Sequence, residues 1–76
     1  MKYLTHAISC LKFNIKQARV LFNKTKTKDA DLLLQTLLKC EAHLKNNTVS
    51  KTDKIALINA LPVLFFQIPK LRSQNV

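Results

Sequence analysis

Residues 3–23 read YLTHAISCLKFNIKQARVLFN, and within them Leu4, Ile8, Leu11, Ile15, Ala18 and Phe22 recur at alternating intervals of four and three. At about 100° per residue this spacing draws a single apolar stripe down a helix, whereas a strand would repeat every second residue. The spacing predicts a first helix from Tyr3 to Asn23. A second helix is expected from Asp29, a good N-terminal cap, to Asn46, with Ala30, Leu33, Leu34, Leu37, Leu38 and Leu44 as its core face. The chain contains no glycine, so Asn46-Asn47 is the best available left-handed stop for that helix.

Ser50-Lys51-Thr52-Asp53 has the capping-box pattern just before an apolar run, and it announces a third helix. Pro62 interrupts this helix, because a proline in a helix interior removes a backbone donor and crowds the preceding turn, costing about 3 kcal/mol. Either a kink or a break is expected there, with a fourth short helix from Pro62 to Ile68 in the second case. Pro69 is then expected to end regular structure, which makes 1–69 one helical domain and 70–76 a frayed basic tail. The fold class is therefore all-α: a small three-helix bundle, or four helices if Pro62 breaks the third, with a homodimer left open as a way to bury more surface.

Composition narrows the function classes. Thirteen Lys and Arg against four Asp and Glu give a net charge of +9. Hydrophobic residues at 47% are too many for a disordered basic tail. The lack of glycine argues against a Gly-rich phosphate cradle or a dinucleotide fingerprint. Two histidines and four scattered acids supply no nucleophile, base and orienting group at a fixed spacing, so no enzyme is expected and no cofactor is called for. Asp29 and Asp31 are accounted for by the helix dipole.

Two cysteines, Cys10 and Cys40, are fewer than a small secreted domain would use as staples. The apolar start up to Cys10 is too short for a signal region and is broken by His6. Asn23-Lys24-Thr25 and Asn46-Asn47-Thr48 match the glycosylation pattern, but without a secretion signal they read as chance. A reduced, cytoplasmic protein is expected.

Ile55 to Pro69 carries no charge. These 15 residues fall short of the ~18–20 needed to span a bilayer, so a buried central helix is the expectation. An interfacial membrane segment is the other reading. Its polar face should be cationic along its length, whereas Lys51, Lys54, Lys70 and Arg72 only flank it.

The charge layout of the first helix is more informative. On a wheel of about 100° per residue, Lys2, Thr5, Ser9, Lys12, Lys16, Arg19 and Asn23 share an arc between about 100° and 200°. Lys12, Lys16 and Arg19 are neighbours at i, i+4 and i+7 with no acid to relieve them, and each such pair costs a few tenths of a kcal/mol. Together with Lys24, Lys26 and Lys28 of the following loop they form a candidate surface for nucleic acid or for an acidic protein. The plain alternative is a solvated face on a basic protein.

Phe13 and Val20 lie outside the main stripe, at about 200–220°, and form a candidate apolar interface. Either helices 2 and 3 cover that side or it meets a second copy or a partner, and Phe13 could equally stack on a base. A helix-turn-helix reading of Ala42 to Thr52 fails, because Asn47 and Thr52 would occupy positions that should be apolar. His6, Cys10, Cys40 and His43 could converge on a zinc if the first two helices form a hairpin, but the spacing matches no usual zinc site. No metal is therefore expected. The same hairpin would allow a Cys10–Cys40 disulfide only if the two Cα atoms came within about 7 Å.

The leading expectation is a small non-enzymatic regulator that binds nucleic acid through Lys12, Lys16, Arg19, Lys24, Lys26 and Lys28. The alternative is a protein-binding inhibitor or adaptor, of the immunity, antitoxin-like or phage-encoded kind, docking on an acidic surface. A membrane-surface protein acting through Val63 to Ile68 is the third class.

Overall fold

The computed structural model describes the backbone of residues 2–74 and the side chains of residues 4–73. Among the described residues every regular element is helical: α1 (Lys2–Thr25), α2 (Lys28–Lys45), α3 (Lys51–Phe65) and α4 (Gln67–Gln74). The protein is the all-α small bundle that the periodicity predicts. Lys2, which the wheel assigns to the cationic arc, lies outside the described side chains.

Only Lys26 and Thr27 separate α1 from α2, so the two helices fold back on each other as an antiparallel hairpin. The reversal uses a left-handed residue, Lys26 at φ 55°, whose N–H donates to the Phe22 carbonyl at 2.7 Å. Glycine is the usual choice there, and a side chain in that region costs about 1–2 kcal/mol. The Lys26 ammonium lies 5.6 Å from the Phe22 ring centroid, a cation–π contact that returns part of this cost.

Thr27, not Asp29, caps α2: its hydroxyl accepts from the Ala30 N–H at 3.3 Å. Asp29 therefore sits one turn position inside the helix, with Asp31, at the positive pole of the dipole. Asn46 ends α2 in an extended conformation and not in a left-handed one. Its carboxamide oxygen instead accepts from the Thr48 N–H and hydroxyl at 2.9 and 2.7 Å, so the side chain makes the turn. Ser50 caps α3 as its sequence pattern predicts, accepting from the Asp53 N–H at 3.2 Å.

Pro62 does not end α3. The helix runs through it to Phe65, and the interruption falls at Phe66, whose N–H bonds to the Pro62 carbonyl at 3.0 Å. Pro69 then lies in the first turn of α4, where its missing N–H has no intrahelical partner to lose. The expectation that Pro69 ends regular structure is overturned: Lys70 to Gln74 are helical, Ile68 is buried, and Leu71 packs against the core.

The core belongs to α1 and α2. Of the buried apolar residues, Ala7, Leu11, Ile15, Ala18 and Leu21 come from α1 and Ala30, Leu33, Leu34, Leu37, Cys40 and Leu44 from α2. α3 adds only Leu61 and α4 only Ile68. Leu57, Ile58, Leu64 and Phe65 are half-buried against them. The buried central helix expected from the uncharged run is thus not found. The molecule measures 40 × 17 × 16 Å, and with helix axes about 8–10 Å apart that cross-section has no place for a helix surrounded on all sides. Ile55, Val63 and Phe66 remain 43%, 69% and 74% exposed.

Two substitutions separate these environments. Leu37→Ala should lower the unfolding free energy by about 2–5 kcal/mol, and Val63→Ala by less than about 0.5 kcal/mol, in urea titrations followed by circular dichroism. Equal losses would mean that α3 is packed as deeply as α2.

Candidate anion-binding face and a second, apolar face

Lys12, Lys16 and Arg19 are all exposed on α1, the side of the helix left uncovered once Leu11, Ile15 and Ala18 turn inward. Spaced i, i+4 and i+7, they share one face and rise along it over about 10 Å. Among the described residues the one ion pair is Lys45 with Glu41 at 3.7 Å on α2. Among the described residues the three α1 cations therefore have no acid at ion-pairing distance. Ser9 is exposed on the same arc.

The Lys24–Lys28 stretch is less of a loop than its sequence suggests. Lys24 closes α1 in the last turn, Lys28 opens α2, and only residues 26 and 27 link them. All three lysines are exposed at the hairpin end, with Lys26 drawn over the Phe22 ring. Thr25 and Thr27 bond to each other through their hydroxyls at 3.1 Å, which ties the link together. Cations thus occupy both the length of α1 and its C-terminal end.

Phe13 and Val20 are 63% and 56% exposed, so the reading in which helices 2 and 3 cover that side is overturned. α2 packs on the main stripe, and α4 reaches the other flank, where the Arg72 guanidinium donates to the Gln17 carboxamide oxygen at 3.4 Å. What is left uncovered is a strip of cations with two apolar side chains along one edge.

The proposed zinc set does not assemble. Cys10 and His6 approach each other at 3.6 Å, but Cys40 is buried in the core while His43 is exposed. Among the described residues no three of His, Cys, Asp or Glu are grouped closely enough to share a metal ion. Both cysteines are free thiols, and burial pushes the Cys40 thiol above its usual pKa.

A groove of about 460 Å³ runs between α2 and α4, with Leu32, Leu33, Leu64 and Leu71 on its walls and Asp29 and Lys70 at its edges. Among the described residues no polar side chain is buried, so nothing is fixed in the groove to orient a small ligand.

The expectation of a buried central helix gave α3 no outward apolar face, and only the membrane-surface reading through Val63 to Ile68 placed one there. Ile55, Pro62, Val63 and Phe66 are exposed, together with Ala56 and Ala60, and Asn59 is the polar residue among them. The signal was present in the composition. A run that is apolar around its whole circumference cannot turn all of it towards one core.

Comparison of the chain with models of known protein families, with curated proteins and with solved structures finds no match.

The two thiols provide a check on this arrangement. Alkylation at neutral pH should modify half-buried Cys10 first and leave buried Cys40 largely unreacted, because burial disfavours the thiolate that reacts. Mass mapping of the modified sites reads the order. Equal protection of both cysteines would point to a disulfide or a shared metal instead.

Proposed function

We propose that the protein is a small non-enzymatic regulator that docks on nucleic acid through the outer face of α1 and the hairpin end. The observation that carries this reading is the exposure of Lys12, Lys16 and Arg19 on one helical face with no acid within reach. A helix selected only for stability gains by alternating signs at i and i+4, and α2 does so at Glu41 and Lys45. Three like charges forgo that gain. A phosphate backbone, with one charge per about 3.4 Å of each strand, offers several partners along a ridge of this length. Lys24, Lys26 and Lys28 extend the contact at one end, and a reduced cytoplasmic setting fits both free thiols.

A second reading rests on Phe13 and Val20. Apolar side chains beside cations suit an acidic protein surface, where charge steers the encounter and the buried apolar contact supplies affinity. The protein would then be an inhibitor or adaptor of a larger target. A pull-down with nuclease treatment separates the two: a protein partner retained after nuclease favours this second reading.

Nucleic-acid binding measured by fluorescence anisotropy should weaken by about 40-fold between 50 and 200 mM salt if three phosphates are contacted, and by more than about 1,000-fold if all six cations take part. Charge reversal by Lys12→Glu, Lys16→Glu and Arg19→Glu together should abolish it while leaving the helical circular dichroism intact. Binding that ignores salt, or that is missing at both concentrations, contradicts the proposal.

A further inference from the structure

The outward face of α3 is built differently from the ridge on α1. On a wheel of about 100° per residue, Leu57, Ile58, Leu61, Leu64 and Phe65 face the bundle, and Ile55, Pro62, Val63 and Phe66 point away within about 100° of one another. Phe66 continues onto α4, where it lines one shallow surface with Pro69, Lys70 and Ser73. The result is a largely apolar strip along the α3–α4 side, interrupted by exposed Asn59, with exposed Lys51 at one end and exposed Lys70 at the other. Lys54 is half-buried on the bundle-facing arc, and Arg72 is bonded to Gln17 of α1. No acid follows Asp53 in the chain, and Asp53 falls at about 260° on the same wheel, outside the arc of about 80–180° that Ile55, Pro62, Val63 and Phe66 share.

We propose that this strip, Ile55–Phe66 with Pro69 and its flanking cations, docks the protein on an anionic phospholipid surface. The charge at its ends chooses between the candidate occupants. A second copy laid on this face, in either direction, would bring Lys51 against Lys51 or against Lys70, with Asp53 the one acid of α3 and α4 to offset them. Anionic headgroups meet the same cations favourably while the apolar strip enters the headgroup–acyl boundary.

A free amphipathic helix at a membrane needs a cationic polar face along its whole length. α3 does not, because the bundle itself covers its other side. The stretch Lys51–Ser73 is long and apolar enough to cross a membrane by length and composition, with only 17% of its most apolar window buried. Crossing, however, would strip Leu61 and Ile68 out of the core, whereas lying flat leaves every buried contact in place. Surface docking is the arrangement compatible with the folded bundle.

Among the residues of the chain there is no tryptophan, so Phe66→Trp introduces a unique fluorophore on the strip. Titration of the full-length Phe66→Trp protein with vesicles of phosphatidylcholine and phosphatidylglycerol should shift its emission to the blue. Pure phosphatidylcholine vesicles should bind at least about tenfold more weakly. Val63→Asp in the Phe66→Trp background should weaken binding at least about tenfold without loss of helicity, because Val63 is exposed. A parallel Phe13→Trp protein should show no blue shift. A shift in the Phe13→Trp protein but not in the Phe66→Trp protein would assign the membrane contact to α1 and overturn the proposal. Equal affinity for both vesicle types, or a dimer broken by Val63→Asp in a protein that ignores vesicles, would overturn it as well. The nucleic-acid reading stands or falls separately, since it depends on Lys12, Lys16 and Arg19.

Discussion

The pairing of α1 with α2 is the constraint from which the rest follows. A two-residue link forces the helices side by side, and their stripes of Leu11, Ile15 and Ala18 and of Leu33, Leu34, Leu37 and Leu44 close on each other. Leu11, Leu37 and Leu44 are completely enclosed. Fully burying one such side chain contributes about 1.5–3 kcal/mol, so this seam supplies most of the hydrophobic stabilisation available to so short a chain. The cost of the tight link, a lysine in the left-handed region, is small beside it.

Once the first two helices satisfy each other, α3 and α4 can only be added along one flank. They contribute Leu61 and Ile68 to the centre and a layer of half-buried residues around them. The remaining apolar surface of α3 has nowhere inside to go. Two outward faces of different chemistry result: cations on α1, and aliphatic and aromatic groups on α3. α2 contrasts with both, since its outer side carries acids and bases together, including the Glu41–Lys45 pair. Leaving Val63 and Phe66 in water forgoes stabilisation of the same order as a core leucine, and opposing like charges on α1 costs a little more. Both faces are thus unfavourable for the isolated chain.

The helices were legible in the sequence because the stripes of α1 and α2 keep a strict three-and-four spacing and because Ser50 has the pattern of a cap. The cationic ridge was legible for the same reason, since wheel positions follow directly from a helix that forms. Caps that depend on backbone detail were not. Thr27 takes the role assigned to Asp29, two residues earlier, and the left-handed residue is Lys26 after α1, while Asn46 ends α2 in an extended conformation. The prolines misled for a related reason. Pro69 looks like a terminator in sequence, but the break at Phe66 turns it into a first-turn residue. α3 was placed at the centre because hydropathy reports how much surface is apolar and not which neighbour is available to cover it. The exposure of Phe13 and Val20 has the same origin.

Amide hydrogen exchange resolved by residue tests most directly the claim that the α1–α2 seam is the foundation and that α3 and α4 lean on it. Amides around Leu11, Ile15, Leu37 and Cys40 should exchange only through global unfolding, while those of α3 and α4 should exchange at least about tenfold faster through local opening. Protection of the α3 amides equal to that at Leu37 would contradict this hierarchy and put α3 at the centre of the bundle.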